Sequence, residues 1–293
     1  MDASKDVEVA KTNALTRASY RLTLIEQQMV SFAIAWARDS QTGLDSTSVM
    51  KISASEFAKT FDIAPQNVNK QLQDGLDGLF DRWIGWHSKD SDGSPRYRRT
   101  RWISEAANLN AAGEVEFVFA PTIVEHITRL DSGFTTYQLK AVAQFTSIYA
   151  IRLFELLMRF KKTGWLAITL QDLRFSFGLL DSEYEMTADF KRKVVKVALK
   201  QINANSPWIV EAFDVKKGRT ITGFKFRFRP VPPKDITPED KPPKPDDVPP
   251  FNRDWIGARA RPGESWDDAE KRLWPIYRLE VLKIDPNQGD LPL

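Results

Sequence analysis

Residues 189–203 read DFKRKVVKVALKQIN. Wound at ~100° per residue, they place Phe190, Val194, Val195, Val197, Ala198, Leu199 and Ile202 on one broad side of a helix. Arg192, Lys193, Lys196, Lys200 and Asn203 share the other. One side is able to bury; the other is a cationic stripe. Such a stripe is either a solvated helix surface or a surface that meets phosphate. What flanks it must decide between them.

Downstream lie WIVEAFDV and TITGFKFRF, two strand-like runs joined at a Gly-containing tip that carries Lys216, Lys217 and Arg219 and no acid. Upstream, Thr169-Leu170-Gln171-Asp172 has the form of a helix N-terminus, with the hydroxyl of Thr169 placed to accept from first-turn amides, and it opens a short helix carrying Leu173 and Phe177. Before it come WLAI, a short strand, and residues 137–162, an apolar run that reads as one long helix stopped by Gly164.

The same grammar occurs earlier in the chain. Thr23 to Glu26 reads as a capping box opening an amphipathic helix to about Arg38, followed by a polar loop at 41–48 and VMKI as a strand. Ser53 to Glu56 reads as a second capping box before a short helix with Phe57 and Phe61. After a turn at 62–65, Pro65 suits the first position of a helix that buries Val68, Leu72, Leu76, Leu79 and Phe80. Its outward row is Asn67, Lys70, Gln71, Asp74 and Asp77. Asn and Gln pair well with adenine, and they are also ordinary surface residues. Then RWIGWHS, RYRRTRWIS and EVEFVF read as three strands, the first two joined at a tip with Lys89, Arg96, Arg98, Arg99 and Arg101 against Asp90 and Asp92. Cap, short helix, longer helix and ribbon, read twice, amount to an internal duplication of plan rather than of identities.

These signals give an α+β fold, mainly helical, of tandem winged-helix (winged helix-turn-helix) domains with a Pro-rich C-terminal tail. The expected division is a flexible arm at 1–18, winged-helix domain 1 at 19–133, domain 2 at 134–229, a Pro-rich linker at 230–250 and a tail at 251–293. Nine of the residues from 230 to 250 are proline, a composition that builds no core. In the tail, 265–274 suggests one or two helical turns before Pro275 interrupts, and IYRLEVLKI a strand or docking segment. Its Trp255, Trp266 and Trp274 suit either packing on the protein's own body or a partner.

Composition bounds the function. With 293 residues, about two ordinary domains are expected. A net charge of +3 means that any basic character is local. The absence of cysteine removes disulfides, zinc ribbons and thiol catalysis, and fits a cytoplasmic protein. No signal-peptide pattern and no ~18-residue apolar run is present, so no membrane role is expected. His87 and His126 are far apart; the first is expected to face solvent and the second to lie on a helix surface, without metal-ligand spacing. No Gly-rich phosphate loop occurs, and Tyr137, Tyr149 and Tyr184 have no metal ligands near them as nucleophiles. The expectation is no enzyme, no cofactor and no metal.

Several stretches in order resemble the iteron-binding Rep type of plasmid replication initiator: ASYRLTLIEQQMVSFAIA, ISASEFAKTFDI, FTTYQLKAVAQFTSIYAIRLFELLMRFKKTG, LQDLRFSFGL, FKRKVVKVALKQIN and GRTITGFKFRF, over roughly 13–229. Phe154 stands where the family commonly has tyrosine, and Gln201 where a glutamate precedes the Ile-Asn pair. The resemblance implies two winged-helix domains that bind direct repeats in double-stranded plasmid origin DNA. It further implies monomers that open an AT-rich region and recruit the host replication initiator and replicative helicase, and dimers that repress their own gene. By the same resemblance, Arg192, Lys193, Lys196, Lys200 and Asn203 enter a major groove. Lys216, Lys217, Arg219, Arg96, Arg98, Arg99 and Arg101 hold phosphates, and Asn67, Asn69, Lys70 and Gln71 read bases for the first domain. Two other readings share the groove chemistry or the fold: a winged-helix repressor without an initiation role, and a pair of protein-interaction modules.

Overall fold

The structure, a computed structural model, describes residues 7–40, 45–128, 133–231, 251–261 and 263–280. The chain forms two compact units, Met1–Val231 and Pro232–Leu293. Among the described residues no helix is long and apolar enough to cross a membrane.

Two three-stranded antiparallel sheets carry the duplication. In the first, β3 (Met50–Ser53) pairs with β7 (Glu114–Phe119), which pairs with β6 (Ile103–Ala107). In the second, β9 (Trp165–Thr169) pairs with β11 (Thr220–Pro230), which pairs with β10 (Trp208–Lys217). Each first strand leads into a short helix, α3 (Ala54–Phe61) or α8 (Leu170–Ser176). A longer helical segment follows, α4 (Pro65–Asp81) in the first copy and the cationic helix in the second. On β11 the alternation is plain: Phe224, Phe226 and Phe228 are buried, and Lys225, Arg227 and Arg229 between them are exposed.

The sheet order corrects the reading of the first ribbon. The basic hairpin, β4 (Trp83–Lys89) with β5 (Pro95–Arg101), is not the wing that pairs with the first strand. It belongs to a separate sheet with β2 (Ser19–Tyr20). RYRRTRWIS divides at fully buried Trp102, and β6 starts afresh after it, so the wing tip equivalent to 216–219 lies at 108–113. Alternation alone does not reveal such a break, because both halves keep strand periodicity.

The expected arm at 1–18 is also corrected from residue 7 onward, residues 1–6 lying outside the described ones. Strand β1 (Glu8–Thr12) pairs with β8 (Phe134–Gln138), and α1 (Asn13–Arg17) follows. Val9, Ala10 and Lys11 are fully buried there. The long helix expected at 137–162 is strand β8, then α6 (Lys140–Ala143) and α7 (Ile148–Met158), with the break at extended Ser147. The break keeps its backbone donors satisfied through Gln201, whose amide oxygen accepts from the N–H groups of Thr146 and Ser147 at 2.9 and 3.0 Å.

Of the expected caps, Thr23 and Glu26 exchange backbone bonds at 3.3 and 2.8 Å and open α2 (Leu24–Ser40). Asp172 N–H donates to the Thr169 hydroxyl at 3.0 Å. The Ser53 hydroxyl meets that of Ser55 instead, at 2.9 Å, and makes no cap bond. Phe80, expected in the buried row of α4, is 41 % exposed. His126 is half-buried on α5 (Pro121–Thr128), with its Nδ1 2.8 Å from the Thr12 hydroxyl and its ring against Trp86. Burial pulls its pKa down, against a smaller upward pull from Glu125. His87 is exposed, as expected, yet packs on Phe175.

In the second unit, α11 (Arg253–Gly257) and α12 (Trp266–Glu280) enclose a small core of Trp255, Ile256, Ala269, Leu273 and Tyr277. Helix α12 runs through Pro275, so the interruption expected there and the strand expected from Ile276 do not occur up to Glu280. The rest of that stretch, and the linker from 232 to 250, lie outside the described residues.

Candidate nucleic-acid interface

The cationic helix is built in three parts: α9 (Thr187–Phe190), a π-helical turn (Lys191–Val195) and α10 (Lys196–Asn205). In the π turn the N–H of Lys196 donates to the carbonyl of Lys191, five residues back. The extra residue lets Val194 and Val195 both bury, along with Phe190, Ala198 and Ile202, and it turns Val197 outward to 40 % exposure. Val197 therefore does not belong to the apolar side. A strict 100° wheel carries no signal for such a bulge.

Arg174 on α8 fixes the loop that leads into this helix. Its guanidinium donates to the carbonyls of Leu180, Glu183 and Tyr184 at 2.9, 2.6 and 3.0 Å and lies over Phe190. Lys191 then ties the helix to β10 through Asp214 at 2.7 Å.

Outward from this platform stand four cations. Arg192 and Lys193, 69 % and 51 % exposed in their side chains, both reach Asp189, at 2.7 and 3.2 Å. Hydrogen bonds from Arg192 and then Lys193 hold the Asp189 carboxyl below the usual carboxylate range. Lys196 and Lys200 are exposed and make no ion pair among the described residues. Asn203 does not complete the row. Its amide is committed to β10, accepting from Val210 N–H at 2.7 Å and donating to the Val210 carbonyl at 3.0 Å. The wing beside the helix ends in exposed Lys216, Lys217 and Arg219, with Gly218 at φ +62° making the turn.

The first domain differs in charge. On α4, Asn67, Asn69 and Lys70 are exposed and Gln71 is half-buried, but Lys70 is the helix's one cation against Asp74, Asp77 and Asp81. On the β4–β5 ribbon Arg96 and Arg98 share Asp90 at 3.2 and 3.7 Å. Arg99 and Arg101 lie over the Trp83 ring, and Arg101 also donates to the Phe80 carbonyl and Asp81. The ribbon's His87 and Tyr97 pack against Phe175 of α8, so it spans from the first domain's sheet to the second domain.

Around α7 lies a buried polar cluster. Glu155 on α7 meets Lys11 and accepts from Arg152 and Tyr137 at 2.8 and 2.7 Å, and all four are buried. Arg152 also donates to the carbonyls of Thr16, Ala18 and Ser176 at 3.1, 2.8 and 2.7 Å, joining α1 to the end of α8. A buried charge of this kind requires complete pairing, which fixes where α7 sits. Its one trace in the sequence is an Arg and a Glu three apart inside an apolar helix.

Residues 8–158 match the family model of the initiator replication protein WH1 domain, and 169–228 that of the initiator Rep protein WH2 domain. The first match runs through α7, past the division at 133. An "Uncharacterized 27.6 kDa protein" of Escherichia coli is 26 % identical over 216 residues, covering 71 % of this chain and 90 % of that one. The crystal structure of the Pi initiator protein in complex with iteron DNA superimposes with a TM-score of 0.63 at 23 % identity, over 77 % of this chain and 98 % of the other, a likeness of fold. Two winged-helix models matched in order, the first spanning half the chain by itself, establish that this protein belongs to the initiator replication protein family of plasmid Rep initiators.

Proposed function

We propose that the chain initiates replication of a plasmid by binding direct repeats in double-stranded origin DNA. The second domain supplies most of the affinity. The observation that carries this reading is the cationic helix: four outward cations on a segment whose opposite side is locked into the core by Phe190, Val194, Val195, Ala198 and Ile202. Arg192 is suited to guanine, Lys193, Lys196 and Lys200 to groove edges or phosphate, and Lys216, Lys217 and Arg219 to the flanking backbone. Asn67, Asn69, Lys70 and Gln71 would read a second site, and Arg96 and Arg98 would hold phosphate. The weakly charged first domain adds register and effective concentration more than electrostatic attraction. That the Pi initiator protein is seen in complex with iteron DNA supports this use of the shared fold.

In this reading the bound protein opens an adjacent AT-rich region and recruits a host replication initiator and the replicative helicase. As a dimer it represses its own gene. The work is done by binding, without a catalytic site. The deciding experiment is a footprint on the native plasmid origin together with a salt series on the protected duplex. Protection of repeated sites with affinity falling steeply in salt supports the reading. Equal affinity for scrambled duplex, or no duplex binding at any salt, overturns it.

A further inference from the structure

A cleft of about 730 Å³ opens among α1, β4, α7, α8 and the second sheet, away from the outward row of the cationic helix. Two guanidiniums face it, Arg17 at the end of α1 and Arg159 just past α7. Neither has a carboxylate partner among the described residues, and the Arg159 Nε is buried with no hydrogen-bond partner. Burial, and then the nearby Arg17 charge, pulls Arg159 down to about 10. A buried donor without an acceptor is costly, and two cations left facing each other add to that cost. The second cost is relieved if an anion with several acceptor oxygens lies against the two guanidiniums.

Aliphatic and small polar residues make up most of the remaining lining, and aromatic rings are set among them: Trp86 and Phe175 are half-buried along it, His87 packs on Phe175, and Phe160 lies beneath Arg159 with its ring 5.1 Å from the guanidinium. Asp172 is the one carboxylate on the lining, and it is held by the Thr169 hydroxyl at 2.8 Å. The two guanidiniums thus suit a polyvalent anion, and the rings of Trp86 and Phe175 suit a flat ring. The volume is of the size that small-molecule sites use.

We propose that this cleft binds a free mononucleotide, with its phosphate between Arg17 and Arg159 and its base against Trp86 and Phe175. Binding here needs neither a Gly-rich phosphate loop nor hydrolysis, and it is independent of the duplex face of the cationic helix.

Isothermal titration of the full-length chain with AMP, adenosine, inorganic phosphate and a single-stranded oligonucleotide tests it. AMP is expected to give saturable heat at millimolar concentration or below, with adenosine and phosphate each at least ~10-fold weaker. Arg17→Gln and Arg159→Gln are each expected to weaken AMP by ~10-fold or more. Arg17 is exposed, so its variant retains the fold, which unchanged duplex binding verifies. No saturable heat with AMP, equal binding of AMP and adenosine, or parental AMP affinity in both variants overturns the proposal. An oligonucleotide that binds the cleft more tightly than AMP assigns it to a strand and overturns it as well.

Discussion

Gln201 and Thr146 hold each other reciprocally: the Gln201 amide oxygen accepts from Thr146 N–H at 2.9 Å, and its nitrogen donates to the Thr146 hydroxyl at 2.8 Å. The same oxygen takes the N–H of Ser147 at 3.0 Å, so a residue of α10 caps the start of α7. Replacing Gln201 by alanine removes that acceptor and is expected to cost ~1–2 kcal/mol in urea unfolding. Gln201→Glu keeps the acceptor at a helix N-terminus and should cost less. Equal losses would mean that the cap is not what the residue supplies.

Lys196 and Lys200 are exposed, so their removal should act on binding alone. Lys196→Ala or Lys200→Ala is expected to weaken duplex affinity, lower the salt slope by ~1 and leave the melting temperature unchanged. Asp189→Asn releases Arg192 and Lys193 and removes a negative charge from the same surface, so affinity should rise by ~2–5-fold. Fluorescence anisotropy on an origin duplex reads all three. Loss of folding in step with binding would assign these side chains to the structure.

Burial pushes the Glu155 carboxyl up, but the charges of Lys11 and Arg152 and the hydrogen bonds from Lys11 and Tyr137 outweigh it and leave it below the ordinary 4.5. The folded state therefore binds this proton more weakly than the unfolded chain does. Its contribution to stability is intact above the unfolded pKa of about 4.5 and falls as the pH drops through the lower folded value. Urea unfolding between neutral and acid pH should show that decline, and Glu155→Gln should flatten it. At neutral pH Glu155→Ala should cost ~3–5 kcal/mol, because Lys11 and Arg152 are then left buried without their partner.

Gly178 and Gly218 share a left-handed backbone, at φ +64° and +62°. A Cβ at Gly178 would lie 2.3 Å from the Tyr20 carbonyl oxygen, whereas nothing lies within 4 Å at Gly218. Gly218→Ala should therefore cost only the backbone term of ~1–2 kcal/mol, and Gly178→Ala distinctly more. Thermal unfolding of the two variants makes the comparison. Similar losses would mean that α8 gives way from β2 without cost.

The first compact unit closes at Val231, whose N–H donates to the Pro207 carbonyl at 2.9 Å. A chain ending there should keep the duplex affinity of the full protein, measured by the same anisotropy titration. A drop of an order of magnitude or more would make the tail part of the DNA-binding unit.

The sequence by itself determined the repeated plan and the cationic helix. Helix caps such as Thr23–Glu26 and Thr169–Asp172 act within three residues, and the alternation of Phe224, Phe226 and Phe228 with cations is a period of two, so both are local. What only tertiary structure decided was long-range or depended on an irregularity. Strand β1 becomes a strand because β8, over a hundred residues away, supplies its partner. Whether the Arg96–Arg101 ribbon joins the wing sheet or another is a choice of partner that periodicity does not encode. The π turn that exposes Val197, the commitment of Asn203 to Val210, and the approach of Arg17 to Arg159 each depend on what packs opposite. Local pattern sets which side chains are available to a surface; packing sets which of them remain free to use it.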